Sequence, residues 1–265
     1  MEDAPALLDL SESIGWPHVL GDWQTALAAS EIFGQRDVDG KVVSSSAVYS
    51  FGPQLAALAL VLVREEFRRR GLARAAIVRC LEQVPGVPVT LVATEFGQPL
   101  YESMGFQTVE QIVRLVRPEG ASFGSRGGVE AMATSHFSDA LELDRLAYAV
   151  DRSQVLRARW AQAEGGVMLS DRTGFAWKTV QRRTLVIGPV IAPDASAAAR
   201  LVGELTAGFQ GRVKVEVPER HAKFMDELKS GGFVIDSTRP LMLKRAKALP
   251  GRRELIFGLA SLGYG

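Results

Sequence analysis

An apolar run, a basic turn and an amphipathic run follow one another near the middle of the first half of the chain. Leu58 to Val63 is short, apolar and bounded by charge, which is typical of a strand buried on both faces. From Gly71 onward apolar residues recur at helical spacing. The segment between them, from Arg64 to Arg70, is polar. This pattern predicts a strand, a turn and a helix in direct succession.

The turn has the chemistry of a pyrophosphate site. Because Gly71 has no side chain, the backbone amides of the first helical turn can approach a ligand. The positive end of the helix dipole points the same way. Four cations, Arg68, Arg69, Arg70 and Arg74, surround this point. A solvated basic turn without a ligand is the alternative for a motif this short.

A second stretch, residues 89–106, predicts another buried strand, a loop and a short helix. Pro99 near the helix start and Gly105 at its end are typical helix punctuation. The order of strand, Arg-x-x-Gly-x-Ala, helix, strand and Leu-Tyr-Glu-Ser-Met-Gly-Phe resembles the GNAT superfamily of acyl-CoA-dependent N-acyltransferases.

The resemblance implies a coenzyme site and an acid. Tyr101 falls where the family places the acid that reprotonates the leaving thiolate. A thiolate with a pKa of about 8.5 can accept a proton from a phenol with a pKa of about 10 if the site tunes them together. A core aromatic is the alternative for Tyr101. The residues that the resemblance assigns to acetyl-CoA are Val61, Leu62 and Val63 for the pantetheine arm, and Arg68, Arg69, Arg70, Gly71, Leu72, Ala73 and Arg74 for the pyrophosphate.

Composition excludes several other classes of protein. The formal net charge is +1, so the basic turn is balanced elsewhere and a general nucleic-acid surface is not expected. One cysteine excludes an internal disulfide, and three dispersed histidines argue against a metal site. No apolar stretch approaches the roughly 20 residues that span a bilayer, and no secretory signal is visible. We therefore expect a cytoplasmic protein without a membrane partner.

Two helical patterns occupy residues 6–33, and the resemblance implies that they form one wall of the acceptor groove. Trp16, Asp22 and Trp23 are therefore candidates for substrate contact, with core packing as the alternative for both tryptophans. The family has a strand before its first helix, whereas about five residues precede the helix here. That strand is expected to be absent or to lie upstream of the first residue.

The predicted central strand carries no Glu, Asp or His, although many GNAT enzymes place a general base there. A base must therefore come from elsewhere. The alternatives are Glu95 after the next strand, Asp22 or His18 in the helical wall, and a residue of the second half acting through water.

The second half resembles a weak internal repeat of the first. We expect a first domain at 1–117, a linker at 118–128 and a second domain at 129–265. A strand from Thr108 to Val116 is expected to close the first domain. The linker is rich in Gly and Ser and has few side chains to bury.

The chemistry of the first half does not recur in the second. No glycine or arginine cluster opens its helix near Ser196, and Leu228 stands where Tyr101 stands in the first half. The second domain is therefore expected to shape the acceptor pocket without binding coenzyme. Asp151 and Arg152 are its candidates for substrate contact, and a helix cap is the alternative for Asp151.

These patterns and the resemblance together predict an α/β (α+β) protein of two GNAT-like domains, each a mixed, mostly antiparallel sheet flanked by helices. The implied activity is transfer of an acetyl group from acetyl-CoA to a primary amine of a small molecule, by a monomer or homodimer. An acyl-CoA sensor without turnover and a scaffold with a decayed fold are the alternatives.

Overall fold

Both halves of the chain contain two helices, three strands, a helix, a strand, a helix and a strand in that order, and the second half adds one strand before and one after this series. The computed structural model describes residues 3–121, 123–124 and 127–264. The elements of the first half are α1 (Ala4–Ser13), α2 (Leu20–Ala29), β1 (Glu31–Arg36), β2 (Val42–Ser50), β3 (Ala56–Val63), α3 (Leu72–Gln83), β4 (Val89–Val92), α4 (Gln98–Ser103) and β5 (Gln107–Arg117). Those of the second half are β6 (Val129–Ala131), α5 (Phe137–Tyr148), α6 (Ser153–Trp160), β7 (Gly165–Leu169), β8 (Phe175–Gln181), β9 (Thr184–Ile191), α7 (Ala195–Thr206), β10 (Arg212–Pro218), α8 (Ala222–Ser230), β11 (Val234–Lys244) and β12 (Ile256–Gly258).

The elements lie close to their predicted positions, with one reassignment. The second helical pattern is expected to extend to residue 33, but α2 ends at Ala29, and Ile32 pairs with Ala47 in the antiparallel β1–β2 hairpin. Within the described ranges, α1 is the first element of the chain. None of the helices in those ranges is long and apolar enough to cross a membrane.

The two halves share one sheet and exchange strands across it. The described residues form a 12-stranded sheet in the order β1-β2-β3-β4-β11-β5-β10-β9-β8-β7-β6, with β12 beside β9. β5 pairs with β11 and β10, both from the second half, and β11 also pairs with β4 of the first. The expectation that the strand after Phe106 closes the first unit is therefore wrong, because β11 occupies the edge of β4. The domain limits at 117 and 129 stay a prediction.

The sheet has a different set of helices on each face. Apolar residues of α1, α2, α5 and α6 form one core on the first face, which includes Trp23, Tyr49 and Trp177. On the second face, α3 and α4 cover the first half and α7 and α8 cover the second. α2 contacts α6 on the first face, so both halves meet there as well as through the exchanged strands.

The predicted linker buries more than its composition suggests. Phe123 is 3% exposed, and its ring lies edge-on to Phe233 at 5.9 Å. The described part of this segment is therefore anchored to the core of the second half, and the expectation that it has little to bury is wrong. Residues 122, 125 and 126 of the predicted linker lie outside the described residues.

Candidate active site

A gap opens between β3 and β4 in the first half. The two strands are parallel but pair only at Ala56 with Val89 and at Ala57 with Thr90. β3 continues to Val63, whereas β4 turns its other edge to β11. The part of β3 beyond Ala57 therefore has its β4-facing edge available to a ligand that can hydrogen-bond to a strand.

A bulge in β3 aims a backbone N–H into this gap. Leu60 has a φ of 53°, and the β2–β3 register shifts between Ser45 and Ala47. The Ser45 hydroxyl donates to the Leu60 carbonyl at 2.7 Å. Because the C=O and N–H of one trans peptide point in opposite directions, the Val61 N–H points away from β2. A donor in this position can polarise the carbonyl of a bound thioester.

The start of α3 is open to an anion. Gly71 precedes the helix with a φ of 78°, and no side chain among the described residues caps it. A Cβ at Gly71 would meet no atom within 4 Å. Arg69 also has a positive φ, 61°, so the backbone turns twice just before the helix. The first-turn amides, including those of Leu72 and Ala73, therefore lack intrahelical partners and suit a phosphate.

The predicted arginines lie around this helix start with different partners. Arg68 pairs with Glu65 at 3.1 Å, and Arg70 donates to the Glu66 carbonyl at 2.9 Å. The Arg69 side chain is exposed. Nη2 of Arg74 donates to Ser103 Oγ on α4 at 2.6 Å. α3 and α4 are thus joined beside the gap.

Tyr101 lies on α4 in the core between α3 and the sheet. Its side chain is 8% exposed and shares a core with Leu58 of β3 and Ile77 of α3. The Phe106 ring lies edge-on at 6.0 Å. Burial raises the pKa of Tyr101, so the phenol keeps its proton at neutral pH. The Tyr101 hydroxyl makes no hydrogen bond with the described residues, which leaves its proton available to a ligand.

The corresponding gap of the second half is filled by the chain itself. Ile256 of β12 pairs with Ile191 of β9, and the Leu259 N–H donates to the Glu216 carbonyl of β10 at 2.9 Å. The start of α7 is also closed, because the Asp194 carboxylate accepts from the Ala197 N–H at 2.8 Å. A carboxylate here both occupies the amide and repels a phosphate.

The two candidate tryptophans have different environments. Trp16 is half-buried, and its ring centroid lies 5.4 Å from that of His18. Trp23 is 0% exposed and donates from Nε1 to Ser11 Oγ at 3.2 Å. The prediction of substrate contact for Trp23 is therefore wrong, and core packing, the alternative, describes it.

Arg152 is also a structural residue. It is 1% exposed and donates to both carboxylate oxygens of Asp144, at 3.0 and 2.7 Å. Its guanidinium lies 3.4 Å from the centroid of the Tyr148 ring. Because a buried ion pair and a ring occupy the guanidinium, the predicted substrate contact of Arg152 is wrong.

Asp151 lies far from the bulge of β3. Its carboxylate accepts from the Ser153 N–H at 2.9 Å, as a cap of α6 would. It lines a cavity of about 320 Å³ with Ser50, Phe51 and Gly52, beside the end of β3 at Ala56. Val61 lies five positions along the strand from Ala56, a distance of roughly 16 Å. The cavity that Asp151 lines therefore lies away from the bulge, and the contact of Asp151 with a substrate stays a prediction.

The candidates for the general base differ in their surroundings. Glu95 is exposed on the loop between β4 and α4. Nδ1 of His18 is buried and has no hydrogen-bond partner among the described residues. Burial lowers the pKa of His18, although Asp22 opposes the shift. His18 is therefore mostly neutral near pH 7 and able to accept a proton.

Asp22 lies in a polar network that sequence reasoning did not find. Its carboxylate accepts from Arg159 Nη1 at 2.8 Å and from Gln181 Nε2 at 3.1 Å. Lys214 Nζ donates to Gln181 Oε1 at 3.3 Å. Alternation of Lys214 and Glu216 with valines, in a strand inside the sheet, was the sequence signal for this network.

Both halves match the same kind of family. Residues 28–114 and 140–258 each match an acetyltransferase (GNAT) domain. The chain is 28% identical over 273 residues to the uncharacterized N-acetyltransferase YitH of Bacillus subtilis strain 168, covering all of this chain and 96% of the relative.

Solved structures share the fold over nearly the whole chain. A candidate acetyltransferase from Pyrococcus horikoshii superposes with a TM-score of 0.82 at 17% identity, covering 100% of this chain and 93% of the other. A GCN5-related N-acetyltransferase from Sphaerobacter thermophilus gives 0.63 at 16% identity, with 94% of each chain covered. A tandem GNAT protein of clavulanic acid biosynthesis gives 0.61 at 14% identity, covering 93% and 96%.

Proposed function

The chain belongs to the GNAT superfamily and is an acetyl-CoA-dependent acyltransferase, and we propose that its acceptor is the primary amine of a small molecule. One observation carries the proposal. The bulge at Leu60, the uncapped start of α3 and the Tyr101 side chain all border the same gap between β3 and β4.

Two parts of acetyl-CoA, the pyrophosphate and the pantetheine arm, would bind along this gap. Its pyrophosphate would lie on the amides from Arg68 to Ala73, with Arg69 and Arg74 nearby. Its pantetheine arm carries amides and would pair with the free edge of β3 at Val61, Leu62 and Val63. The thioester carbonyl would then accept from the Val61 N–H.

Transfer is direct in this proposal. The amine nitrogen attacks the thioester carbonyl carbon, the new C–N bond forms and the C–S bond breaks. One amine proton passes to a base, for which His18, Glu95 and Asp22 are the candidates of the first half. The leaving thiolate takes the proton of Tyr101, so no covalent enzyme intermediate is required.

The second domain would complete the acceptor pocket without binding coenzyme itself. The carboxylate cap at Asp194 and the β12 segment support this assignment. Helices α5 and α6 of that domain pack on the face that carries α1 and α2. This packing would narrow an acceptor groove there and favour a small acceptor over a protein tail.

A sensor that binds acetyl-CoA without turnover is the second candidate, since β3 carries no acidic residue or histidine. The test is incubation with acetyl-CoA and a panel of amines, followed by mass spectrometry of the amines. An acetylated amine whose yield depends on the enzyme supports transfer. Micromolar coenzyme binding with no acetylated amine would overturn transfer to small amines and favour the sensor.

A further inference from the structure

A partly buried charge cluster lies between the two halves, on the sheet face that carries α1, α2, α5 and α6. We call it the interface cluster; its members are Asp22, Arg114, Arg159, Gln181, Lys214, Glu216 and Arg239. Val213, Val215 and Val217 of β10 pack in the core under α7 and α8. The alternate residues Lys214 and Glu216 therefore project to the opposite face, where the predicted acceptor wall lies.

Hydrogen bonds join residues of the first half to residues of the second half at both ends of the interface cluster. Asp22 of α2 binds Arg159 and Gln181, and Gln181 binds Lys214. At the other end, Arg114 donates from Nη2 to Glu216 Oε1 at 2.6 Å. Both halves therefore contribute to one polar surface.

The interface cluster has an excess of positive charge. Four cations accompany two carboxylates, and each carboxylate already has an arginine. Neither Lys214 nor Arg239 makes an ion pair with a described residue. Burial lowers the pKa of Lys214 to about 8, which reflects the cost of holding this cation away from water. An anion from outside would offset that cost.

One carboxylate oxygen of the interface cluster is also unused. Glu216 is 4% exposed, and its Oε2 has no hydrogen-bond partner among the described residues. A buried acceptor atom without a donor is costly, so a donor from a bound molecule would stabilise it. The cluster thus lacks an anion to pair with Lys214 and Arg239 and a hydrogen-bond donor for Glu216 Oε2.

Two backbone segments connect the interface cluster to β4 and to the bulge of β3. The Ala93 N–H, just after β4, donates to the carbonyl of Pro240, the residue after Arg239, at 2.9 Å. Arg159 and Asp22 lie close enough to Tyr264 to affect its pKa. A Cβ at Gly263, the residue before Tyr264, would lie 3.5 Å from the Ala59 Cβ, beside the bulge. The segment at Gly263 and Tyr264 therefore lies between the cluster and the bulge and places both on the same face of the sheet.

We propose that the interface cluster binds an anionic group of the acceptor, with Lys214 and Arg239 as its cations, so that the acceptor is an amine that also carries a carboxylate or a phosphate. The inference rests on the proposed function. An amine of this kind supplies the anion for the unpaired cations, and its N–H groups supply donors for Glu216.

Matched acceptors and variants test this assignment. The first comparison is between α-amino acids and the corresponding amides, and it tests for recognition of a carboxylate. The second is between glucosamine 6-phosphate and glucosamine, and it tests for recognition of a phosphate. The variants are Lys214→Met and Arg239→Gln. The control is Arg212→Gln, an exposed position on β10 whose arginine pairs with Asp236 at 3.2 Å.

The wild type should prefer the anionic member of one pair by at least about tenfold in kcat/KM. Lys214→Met and Arg239→Gln should raise KM for that acceptor about tenfold and remove the preference for the anionic member of the pair, with coenzyme affinity unchanged. Arg212→Gln should keep the preference. Acetylation of neutral amines alone, or an unchanged preference in both variants, would overturn the inference and leave the proposed function standing. Acetylation of no amine would overturn both.

Discussion

Arg74 on α3 donates a hydrogen bond to Ser103 on α4 at 2.6 Å, and Ser103 Oγ in turn donates to the Leu100 carbonyl at 2.6 Å. This contact joins the helix whose start is proposed to hold the pyrophosphate to the helix that carries Tyr101. Coenzyme binding and protonation of the leaving group therefore depend on elements that are fixed to one another.

Replacement of Arg74 should weaken coenzyme binding without unfolding the protein. We expect Arg74→Gln to raise the Kd of acetyl-CoA about tenfold, because one cation near the pyrophosphate is lost, about 1.4 kcal/mol. Arg79→Gln is the matched control, since Arg79 is exposed on the same helix and pairs with Glu82. Equal Kd values for the two variants in a titration would contradict the assignment of Arg74.

Replacement of Tyr101 should separate chemistry from binding. Tyr101→Phe keeps the ring against Phe106, so we expect an unchanged melting temperature and coenzyme Kd. Loss of the acid should lower kcat about 10²-fold. Steady-state kinetics with the best acceptor and a coenzyme titration measure both quantities. A kcat within twofold of the wild type would mean that another group protonates the thiolate.

One coenzyme should bind per chain, because the second half has a capped helix and a filled gap. Asp194→Ala removes the cap of α7 and should cost about 1 kcal/mol of unfolding free energy. It should not create a second site, since β12 still pairs with β9. Calorimetry should give a stoichiometry of one for both proteins, and a value of two for either would contradict this account.

The affinity for an anionic acceptor should depend on the charge of Lys214. The pKa of Lys214 is lowered to about 8 by burial, so its cation is present below pH 8 and is lost above it. KM for the anionic acceptor should therefore rise above pH 8, by about tenfold per pH unit. The charged or titratable groups that face Lys214 are Glu216, Arg114, Asp22, Arg159 and His18.

Lys214→Arg is the control for this pH dependence, because arginine stays protonated throughout the range. The rise in KM above pH 8 should be absent in Lys214→Arg. A rise in KM that is the same in the wild type and in Lys214→Arg would assign the titration to another group.

The local elements were predictable because each has a strong period or punctuation in the sequence. The run from Leu58 to Val63, Gly71 before a helix and Gly105 after one all lie where expected. The family resemblance, carried by two motifs, is confirmed by matches in both halves.

The strand exchange could not be read from the chain. β5 and β11 both carry short runs of apolar residues, and nothing in these runs indicates which strand pairs with the edge of β4. The same limit hid the interface cluster, because Asp22 and Lys214 are far apart in sequence and meet only through the packing of α2 on the second half. Trp23 and Arg152 were misassigned because residue type alone does not distinguish a buried partner from a ligand contact.

The most direct test of the central claim is a calorimetric titration of acetyl-CoA into the wild type, Gly71→Glu and Gly86→Glu. Both glycines have a positive φ, 78° and 75°, and open space at the Cβ position, so the backbone strain is matched at the two ends of α3. We predict micromolar binding to the wild type and to Gly86→Glu, and none to Gly71→Glu, whose carboxylate would repel the pyrophosphate. Equal binding to all three proteins would contradict the assignment of the coenzyme to the start of α3.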